Sequence, residues 1–144
     1  MAATVTDTRV VEFGRGFEKL LGLQVVEATA DRVVAVVPVT GDLLQGHGIV
    51  HGGVYAAAVE TCASLGAYLW LDGRGVPVGL SNHTEFVRAV HEGAELRAEA
   101  LPLTRGRTTQ LWQVEVTDER GRLVAHGRVR LLNLEQSLGP GGAR

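Results

Sequence analysis

The sequence predicts an α+β fold in which an antiparallel sheet of about six strands wraps around one long central helix. The first observation is the segment from Val54 to Leu71, which is rich in alanine and leucine and almost free of charge, as a buried helix requires. The second is the set of β-rich segments on both sides of it, which are separated by short polar turns. The length of 144 residues, of which 45% are hydrophobic, fits a single domain with one core.

The chain before the central helix is expected to contribute a short helix and two strands. From Val10 to Leu21, apolar residues recur at spacings of three and four, which indicates an amphipathic helix that ends at Gly22. From Leu23 to Val39, two β-branched runs flank the polar pair Asp31-Arg32. This pattern predicts two strands joined by a tight turn.

The chain after the central helix is expected to form antiparallel hairpins. Within this part, Leu111 and Gln113 alternate with Trp112 and Val114, which is typical of a sheet that is covered on one face. The covering element is expected to be the apolar helix. The four predicted strands run from Val76 to Val90, from Ala94 to Leu103, from Thr108 to Thr117 and from Arg122 to Leu134.

One domain is expected to span residues 1–136, because no internal repeat and no composition shift divides the chain. Residues 137–144 contain three glycines and one proline and have no apolar periodicity. They are expected to form a flexible tail.

Charge and composition argue against several classes of protein. The formal net charge of −2 and the pI near 6.2 provide no basic field for a phosphate backbone, so nucleic acid is not an expected partner. The N-terminal segment lacks a basic region followed by an apolar run, so neither secretion nor membrane spanning is expected. The single cysteine, Cys62, cannot form an internal disulfide and is expected to be a buried thiol. The cytoplasm is therefore the expected location.

The histidines do not predict a metal site. No second carboxylate or cysteine stands at ligand spacing from His47 and His51. His83 lies far along the chain on a predicted strand. We therefore expect no bound metal.

The entrance of the central helix contains the first candidate functional group. Gly52-Gly53 stands where a loop becomes a helix, so the first backbone N–H groups are unpaired and carry the positive end of the helix dipole. Such an amide can bind developing negative charge, although two glycines can also serve only to let the chain turn tightly.

The second candidate group is Glu60, the one carboxylate in an apolar helix. Its burial predicts a raised pKa, a hydrogen-bonded partner or a catalytic role in a cleft.

A carboxylate and an oxyanion-binding amide together indicate acyl transfer. The first supplies a nucleophile or a base, and the second stabilises the tetrahedral charge. Gly52 and Glu60 lie eight residues apart on one helix, about 12 Å at roughly 1.5 Å per residue, so one chain cannot direct both at the same carbonyl. If both groups act on one thioester, they must come from different subunits with antiparallel helices at a two-fold interface, which predicts at least a dimer. Ser64 lies one turn beyond Glu60, where its hydroxyl can reach the carboxylate or its own helix carbonyls.

Several motifs in a fixed order resemble those of the hot-dog acyl-CoA thioesterases. They are Gln45 with HGIVHGG, then Glu60, then SNHTEFVRAV followed by Glu92-Gly93, and finally RGRTTQLWQVEVTDERGRLVAHGRVRL. The resemblance covers roughly Gly22 to Leu132 and is specific to the branch that contains the Arthrobacter-type 4-hydroxybenzoyl-CoA thioesterase and the 1,4-dihydroxy-2-naphthoyl-CoA thioesterase. It implies the hot-dog fold and hydrolysis of an acyl-CoA thioester, with an aromatic acyl group of the 4-hydroxybenzoyl, 1,4-dihydroxy-2-naphthoyl or phenylacetyl type.

The resemblance also implies roles for particular residues. Glu60 would be the catalytic carboxylate, as nucleophile or general base, and the Gly52 amide would polarise the thioester carbonyl. Gln45, His51 and Ser64 would orient the substrate, the water or the acid. Coenzyme A would be part of the substrate rather than a cofactor, and the assembly would be a tetramer made of two dimers. The residues implied near the CoA channel are Asn82, His83, Arg88, Arg105, Gly106, Arg107, Thr108 and Thr109.

Two other functions stay open at this stage. One is a non-catalytic module that binds acyl-CoA, because a fold alone does not fix chemistry. The other is a hot-dog dehydratase acting on hydroxyacyl-CoA, although no hydratase-type motif is present. The identity of the acyl group also stays open, because it depends on pocket walls for which the candidates are Val54, Tyr55, Val59, Leu65 and residues near Leu80.

Overall fold

A computed structural model describes residues 7–135, and in them one six-stranded antiparallel sheet packs around a 20-residue helix. The order of strands across the sheet is β1-β2-β4-β5-β6-β3. This arrangement confirms the predicted fold, whereas the predicted tail at 137–144 lies outside the described residues. The elements are α1 Thr8–Glu12, α2 Phe17–Leu21, β1 Gln24–Ala28, β2 Val33–Pro38, a short 3-10 turn Gly41–Leu43, α3 Gly52–Leu71, β3 Gly75–Phe86, β4 Glu95–Arg105, β5 Thr109–Thr117 and β6 Leu123–Glu135.

The N-terminal helix differs from the prediction, because the segment from Val10 to Leu21 belongs to two short helices instead of one. Glycines 14 and 16 lie between them, and Gly16 has a φ of 66°, which is outside the helical region. Leu21 is buried, whereas Phe17 and Leu20 on the same helix are 60% and 80% exposed. The amphipathic spacing therefore identified helical turns, but the glycines divide them.

The central helix α3 fills the interior of the curved sheet. Gly66 permits its close approach to β5, because a Cβ at this position would lie 2.5 Å from Cη2 of Trp112. By length and composition alone α3 could also cross a membrane, but 67% of that apolar segment is buried inside the protein. The sheet thus covers most of the apolar surface of this helix.

Strand β3 forms one edge of the sheet. It pairs with β6 on one side, and no strand of residues 7–135 pairs with its other side. Its pairing register shifts between Gly79 and Ser81, which is the mark of a bulge. Val76, Val78 and Leu80 are all exposed in the single chain. A 12-residue edge strand with exposed apolar side chains is a template for pairing with another strand.

Candidate active site

The N-terminus of α3 leaves one particular amide free. His51 is the N-cap residue, and its Nδ1 accepts a hydrogen bond from the N–H of Gly53 at 2.8 Å. The N–H of Val54 donates to the carbonyl of His51 at 2.9 Å. No acceptor among residues 7–135 is hydrogen-bonded to the N–H of Gly52. The free amide at the positive end of the helix dipole is therefore the one that the sequence indicated.

A pocket of about 330 Å³ opens beside this amide. The ring of Phe86 lies against Gly52, since a Cβ on Gly52 would be 2.4 Å from Cε2 of Phe86. The rings of Phe86 and Tyr55 are 5.8 Å apart between centroids, so two aromatic side chains form one wall. The lining residues are Gln45, Ile49, Val50, Gly52, Tyr55, Phe86, Val87, Arg88 and Ala89. The structure thus brings together three of the predicted site residues, Gln45, Gly52 and Arg88.

Gln45 is fixed by the loop that precedes the helix. Its N–H donates to the carbonyl of Ile49 at 2.8 Å, and its own carbonyl accepts the N–H of Gly48 at 3.0 Å. Its side-chain oxygen accepts the N–H of His47. The amide NH₂ of Gln45 makes no hydrogen bond to any described residue and is free to donate to a ligand in the pocket.

Glu60 is half-buried and contacts strand β3 of its own chain. Nδ2 of Asn82 donates to Oε2 of Glu60 at 2.9 Å and to the carbonyl of Ala56 at 2.9 Å. Oε1 of Glu60 faces Gly79, where an added Cβ would lie 2.4 Å from that oxygen. A hydrogen-bonded partner was one of the outcomes expected for a buried carboxylate at this position, and in the structure that partner is Asn82.

The contact between Asn82 and Glu60 was not predicted. In an uninterrupted strand, side chains three residues apart point to opposite faces, yet Gly79 and Asn82 both face Glu60. The register shift between Gly79 and Ser81 explains this, because a bulge changes which later residues face the helix. The sequence contains no clear signal of this bulge.

Asn82 and His83 were both predicted to lie near the CoA channel, and in the structure their side chains face different sides of strand β3. His83 is 80% exposed at its side chain, and its Nε2 lies 3.5 Å from Oε1 of Glu85. Adjacent residues of a strand point to opposite faces, so His83 points away from the helix while Asn82 points towards it.

Gly52 and Glu60 are not brought together within one chain. They occupy the first and third turns of the same helix, about 12 Å apart at 1.5 Å per residue. Ser64 follows one turn after Glu60 and is half-buried. Two partners were expected for its hydroxyl, Glu60 and a carbonyl of its own helix. Among the described residues it is hydrogen-bonded to neither.

The turn from Arg105 to Thr109 lies at the other end of α3. It shares a cleft with Trp70 and Leu71, so it is about 27 Å along the helix from Gly52 of the same chain. Nη1 of Arg105 donates to the carbonyl of Ala30 at 2.7 Å and to Oδ1 of Asp31 at 2.9 Å. Arg105 is therefore already paired. No described carboxylate lies within 4.0 Å of the guanidinium of Arg107 or Arg88.

A buried polar network, which the sequence analysis missed, holds this turn. Gln110 is 1% exposed, accepts the indole N–H of Trp112 at 2.9 Å and donates to Oδ1 of Asn133 at 2.9 Å. Asn133 in turn donates to the carbonyls of Gly106 and Arg107 at 2.9 and 3.2 Å. The sequence did contain a signal of this network, because Gln110 is a polar residue at the inward-facing strand position two residues before Trp112.

Two further titratable groups on α3 are not suited to chemistry at neutral pH. Burial raises the pKa of the Cys62 thiol to about 12, so the reactive thiolate is absent. Burial also raises the pKa of the Tyr55 hydroxyl to about 12. Within residues 7–135, no three side chains of His, Cys, Asp or Glu form a group that could hold a metal ion.

Comparison with known proteins shows the family of this chain. Residues 47–125 match the model of a family described as the thioesterase superfamily. The Rv1847 protein of Mycobacterium tuberculosis is 47% identical over 122 residues, which cover 83% of this chain and 86% of that protein. The 1,4-dihydroxy-2-naphthoyl-CoA hydrolase of Escherichia coli is 35% identical over 99 residues, which cover 69% of this chain and 72% of the hydrolase.

Solved structures agree with the sequence comparison. The crystal structure of AziG from S. sahachiroi superimposes with a TM-score of 0.83 at 48% identity, covering 85% of this chain and 98% of AziG. The predictions of a hot-dog fold and of a thioesterase are both confirmed. The chain therefore belongs to the thioesterase superfamily.

Proposed function

We propose that this thioesterase hydrolyses the CoA thioester of an aromatic acid at a site shared by two subunits. The observation that carries the proposal is the free N–H of Gly52 at the N-terminus of α3, with Glu60 two turns further along the same helix. The name of the Escherichia coli relative, a 1,4-dihydroxy-2-naphthoyl-CoA hydrolase, supports the aromatic acyl group. The aromatic wall formed by Tyr55 and Phe86 is compatible with it.

In the proposed reaction, the Gly52 N–H donates to the carbonyl oxygen of the thioester. Glu60 of the other subunit either attacks the carbonyl carbon or removes a proton from the water that attacks it. The tetrahedral oxyanion is stabilised by the amide and by the helix dipole behind it. Collapse breaks the carbon–sulfur bond, so that CoA leaves as a thiolate that is then protonated. On the nucleophilic route this collapse leaves a mixed anhydride between the acyl group and Glu60, and water then hydrolyses it to the free acid and regenerates the carboxylate. On the general-base route the attacking water becomes part of the free acid directly, and Glu60 passes the proton it removed to the thiolate. The products of both routes are the free acid and CoA.

A dimer supplies the second half of this site. Strand β3 has an unpaired edge with exposed apolar residues, so two copies can pair along it in antiparallel fashion. Such pairing continues the sheet and makes the two α3 helices antiparallel. Gly52, Gln45 and the pocket of one subunit would then meet Glu60 of the other. The arrangement of two such dimers in a tetramer is proposed on the resemblance to the family alone.

For CoA we propose Arg88 and Arg107 as the phosphate-binding arginines. Arg88 lines the same pocket as Gly52, and the Arg107 turn is positioned by Asn133 and Gln110. Free guanidinium groups give charge-assisted hydrogen bonds to phosphate oxygens. Arg105 is less suited, because its guanidinium is bonded to Ala30 and Asp31.

Removal of the Glu60 carboxylate tests the proposed function. Glu60→Gln keeps the size of the side chain but removes the nucleophile or base, so kcat for benzoyl-CoA and 4-hydroxybenzoyl-CoA is expected to fall about a thousandfold or more. Thiol release would be followed by a colorimetric reagent. The matched control is Glu115→Gln, because Glu115 is an exposed strand carboxylate that does not line the pocket.

Either of two results would contradict the proposal. If Glu60→Gln turned over at the wild-type rate, Glu60 would not be the catalytic group. If the wild-type protein bound these CoA esters without releasing thiol, it would be an acyl-CoA-binding module. Thiol release by the control at the wild-type rate establishes that loss of a carboxylate alone is harmless.

A further inference from the structure

Strand β3 contacts the two oxygens of Glu60 in different ways. Oε2 accepts the hydrogen bond from Asn82 at 2.9 Å. Oε1 accepts no hydrogen bond from any described residue and lies against Gly79, the position where a side chain would collide with it. Among the described residues, the carboxylate is therefore hydrogen-bonded at Oε2 and has no hydrogen-bond donor at Oε1.

The orientation of the Asn82 amide is fixed by three hydrogen bonds. Its NH₂ group donates to the carbonyl of Ala56 and to Glu60, both at 2.9 Å. Its Oδ1 accepts the hydroxyl proton of Thr84 at 2.6 Å. A flipped amide would set oxygen against oxygen at Ala56 and Glu60 and would leave its NH₂ facing Thr84. Asn82 is thus a fixed donor to the carboxylate.

We propose that Asn82, oriented by Thr84, is a positioning residue that holds the Glu60 carboxylate so that Oε1 is the reacting oxygen. The inference rests on the proposed function, since it assigns a role relative to a catalytic Glu60. A fixed donor limits rotation of the carboxylate about its side-chain bonds, and an error of about 1 Å in the position of a reacting group can lower the rate up to about a hundredfold. This role differs from the CoA contact that the resemblance implied for Asn82.

The two roles predict different kinetics. A residue that positions Glu60 affects the chemical step, so Asn82→Ala is expected to lower kcat about 10- to 100-fold while KM stays within about twofold. A residue that contacts CoA would instead raise KM and leave kcat near the wild-type value. The substrate would be 4-hydroxybenzoyl-CoA, with thiol release as the readout. A rise in KM at unchanged kcat, or no change in either constant, would overturn the proposal.

Thr84 provides a matched pair of variants that does not depend on Asn82→Ala folding well. Thr84→Val keeps the shape of the side chain but removes the hydroxyl, and kcat is expected to fall about 2- to 10-fold, the equivalent of one net hydrogen bond. Thr84→Ser retains the donor and is expected to keep kcat near the wild-type value. Equal kcat values for the valine and serine variants would contradict the role of Thr84 in orienting Asn82.

The double variant separates failure of this inference from failure of the proposed function. If Asn82 acts through the carboxylate, adding Asn82→Ala to Glu60→Gln produces no further loss of kcat. A further loss of the same size as in the wild-type background would mean that Asn82 acts independently of Glu60. If Glu60→Gln alone were fully active, the proposed function itself would fail, whatever the Asn82 variant does.

Discussion

At the scale of single residues, His51 has a structural contact that explains its position directly before the reactive amide. Its Nδ1 takes the N–H of Gly53, and its carbonyl takes the N–H of Val54. These two bonds satisfy the neighbouring donors and leave the Gly52 N–H for a ligand. The sequence already indicated the Gly52 amide, and the structure adds the reason why this amide is free while its neighbours are bonded.

This capping contact predicts a stability difference between two substitutions. His51→Ala removes the acceptor at the N-cap and is expected to lower the free energy of unfolding by about 1 kcal/mol. His51→Asn offers a side-chain oxygen at the same place and is expected to lose less. Urea unfolding at neutral pH measures both. Equal stabilities of the two variants would mean that Nδ1 is not a significant cap.

At the scale of elements, strand β3 determines the environment of Glu60. The sequence predicted a strand here but not its place in the sheet, and a simple alternation of side chains assigns Asn82 to the wrong face after Gly79. The bulge between Gly79 and Ser81 corrects the alternation. A bulge depends on how two paired strands fit together, so the pattern within one strand does not reveal it.

The bulged strand predicts a specific effect at Gly79. A Cβ there would lie 2.4 Å from Oε1 of Glu60, so Gly79→Ala is expected to displace the carboxylate and to lower kcat at least tenfold. The fold is expected to persist, because Gly79 is exposed and the carboxylate can move. Circular dichroism would check the fold and thiol release the rate. Wild-type kcat in this variant would mean that Glu60 does not occupy this position during turnover.

The N-terminal segment illustrates the same limit of sequence patterns. Apolar spacing identified the helical residues between Val10 and Leu21, but the backbone conformation at Gly16 divides them. The periodicity of apolar residues indicates which residues can share a face of a helix. Whether the helix is continuous depends on the φ and ψ angles of every residue in it. The central helix was predicted well because it is long, apolar and uninterrupted.

At the scale of the whole molecule, one chain contains both halves of the proposed site but keeps them apart. Gly52 and Glu60 are separated along a rigid helix, so no movement of side chains brings both to one carbonyl. The edge strand β3 offers the surface through which a second copy can complete the site. The distance between Gly52 and Glu60 along the helix can be calculated from the sequence alone. The unpaired edge of β3 can be identified only from the order of the strands in the structure.

Activity of mixed dimers is the most direct test of a site shared between subunits. One parent carries Glu60→Gln, and the other carries Gly52→Pro, which removes the amide N–H at a helix position that tolerates proline. Both parents also carry Phe86→Ala, because the ring of Phe86 would meet a Cβ at position 52. Each parent alone is expected to be inactive. Random mixing after mild unfolding and refolding is expected to restore about one quarter of the activity of the Phe86→Ala dimer, since half of the dimers are mixed and each has one intact site.

The restored rate is measured by thiol release from 4-hydroxybenzoyl-CoA, and exchange of subunits is verified with differently tagged parents. Recovery near one quarter is the predicted result. Mixed dimers that form but remain inactive would contradict a site in which Gly52 of one subunit and Glu60 of its partner act on the same thioester.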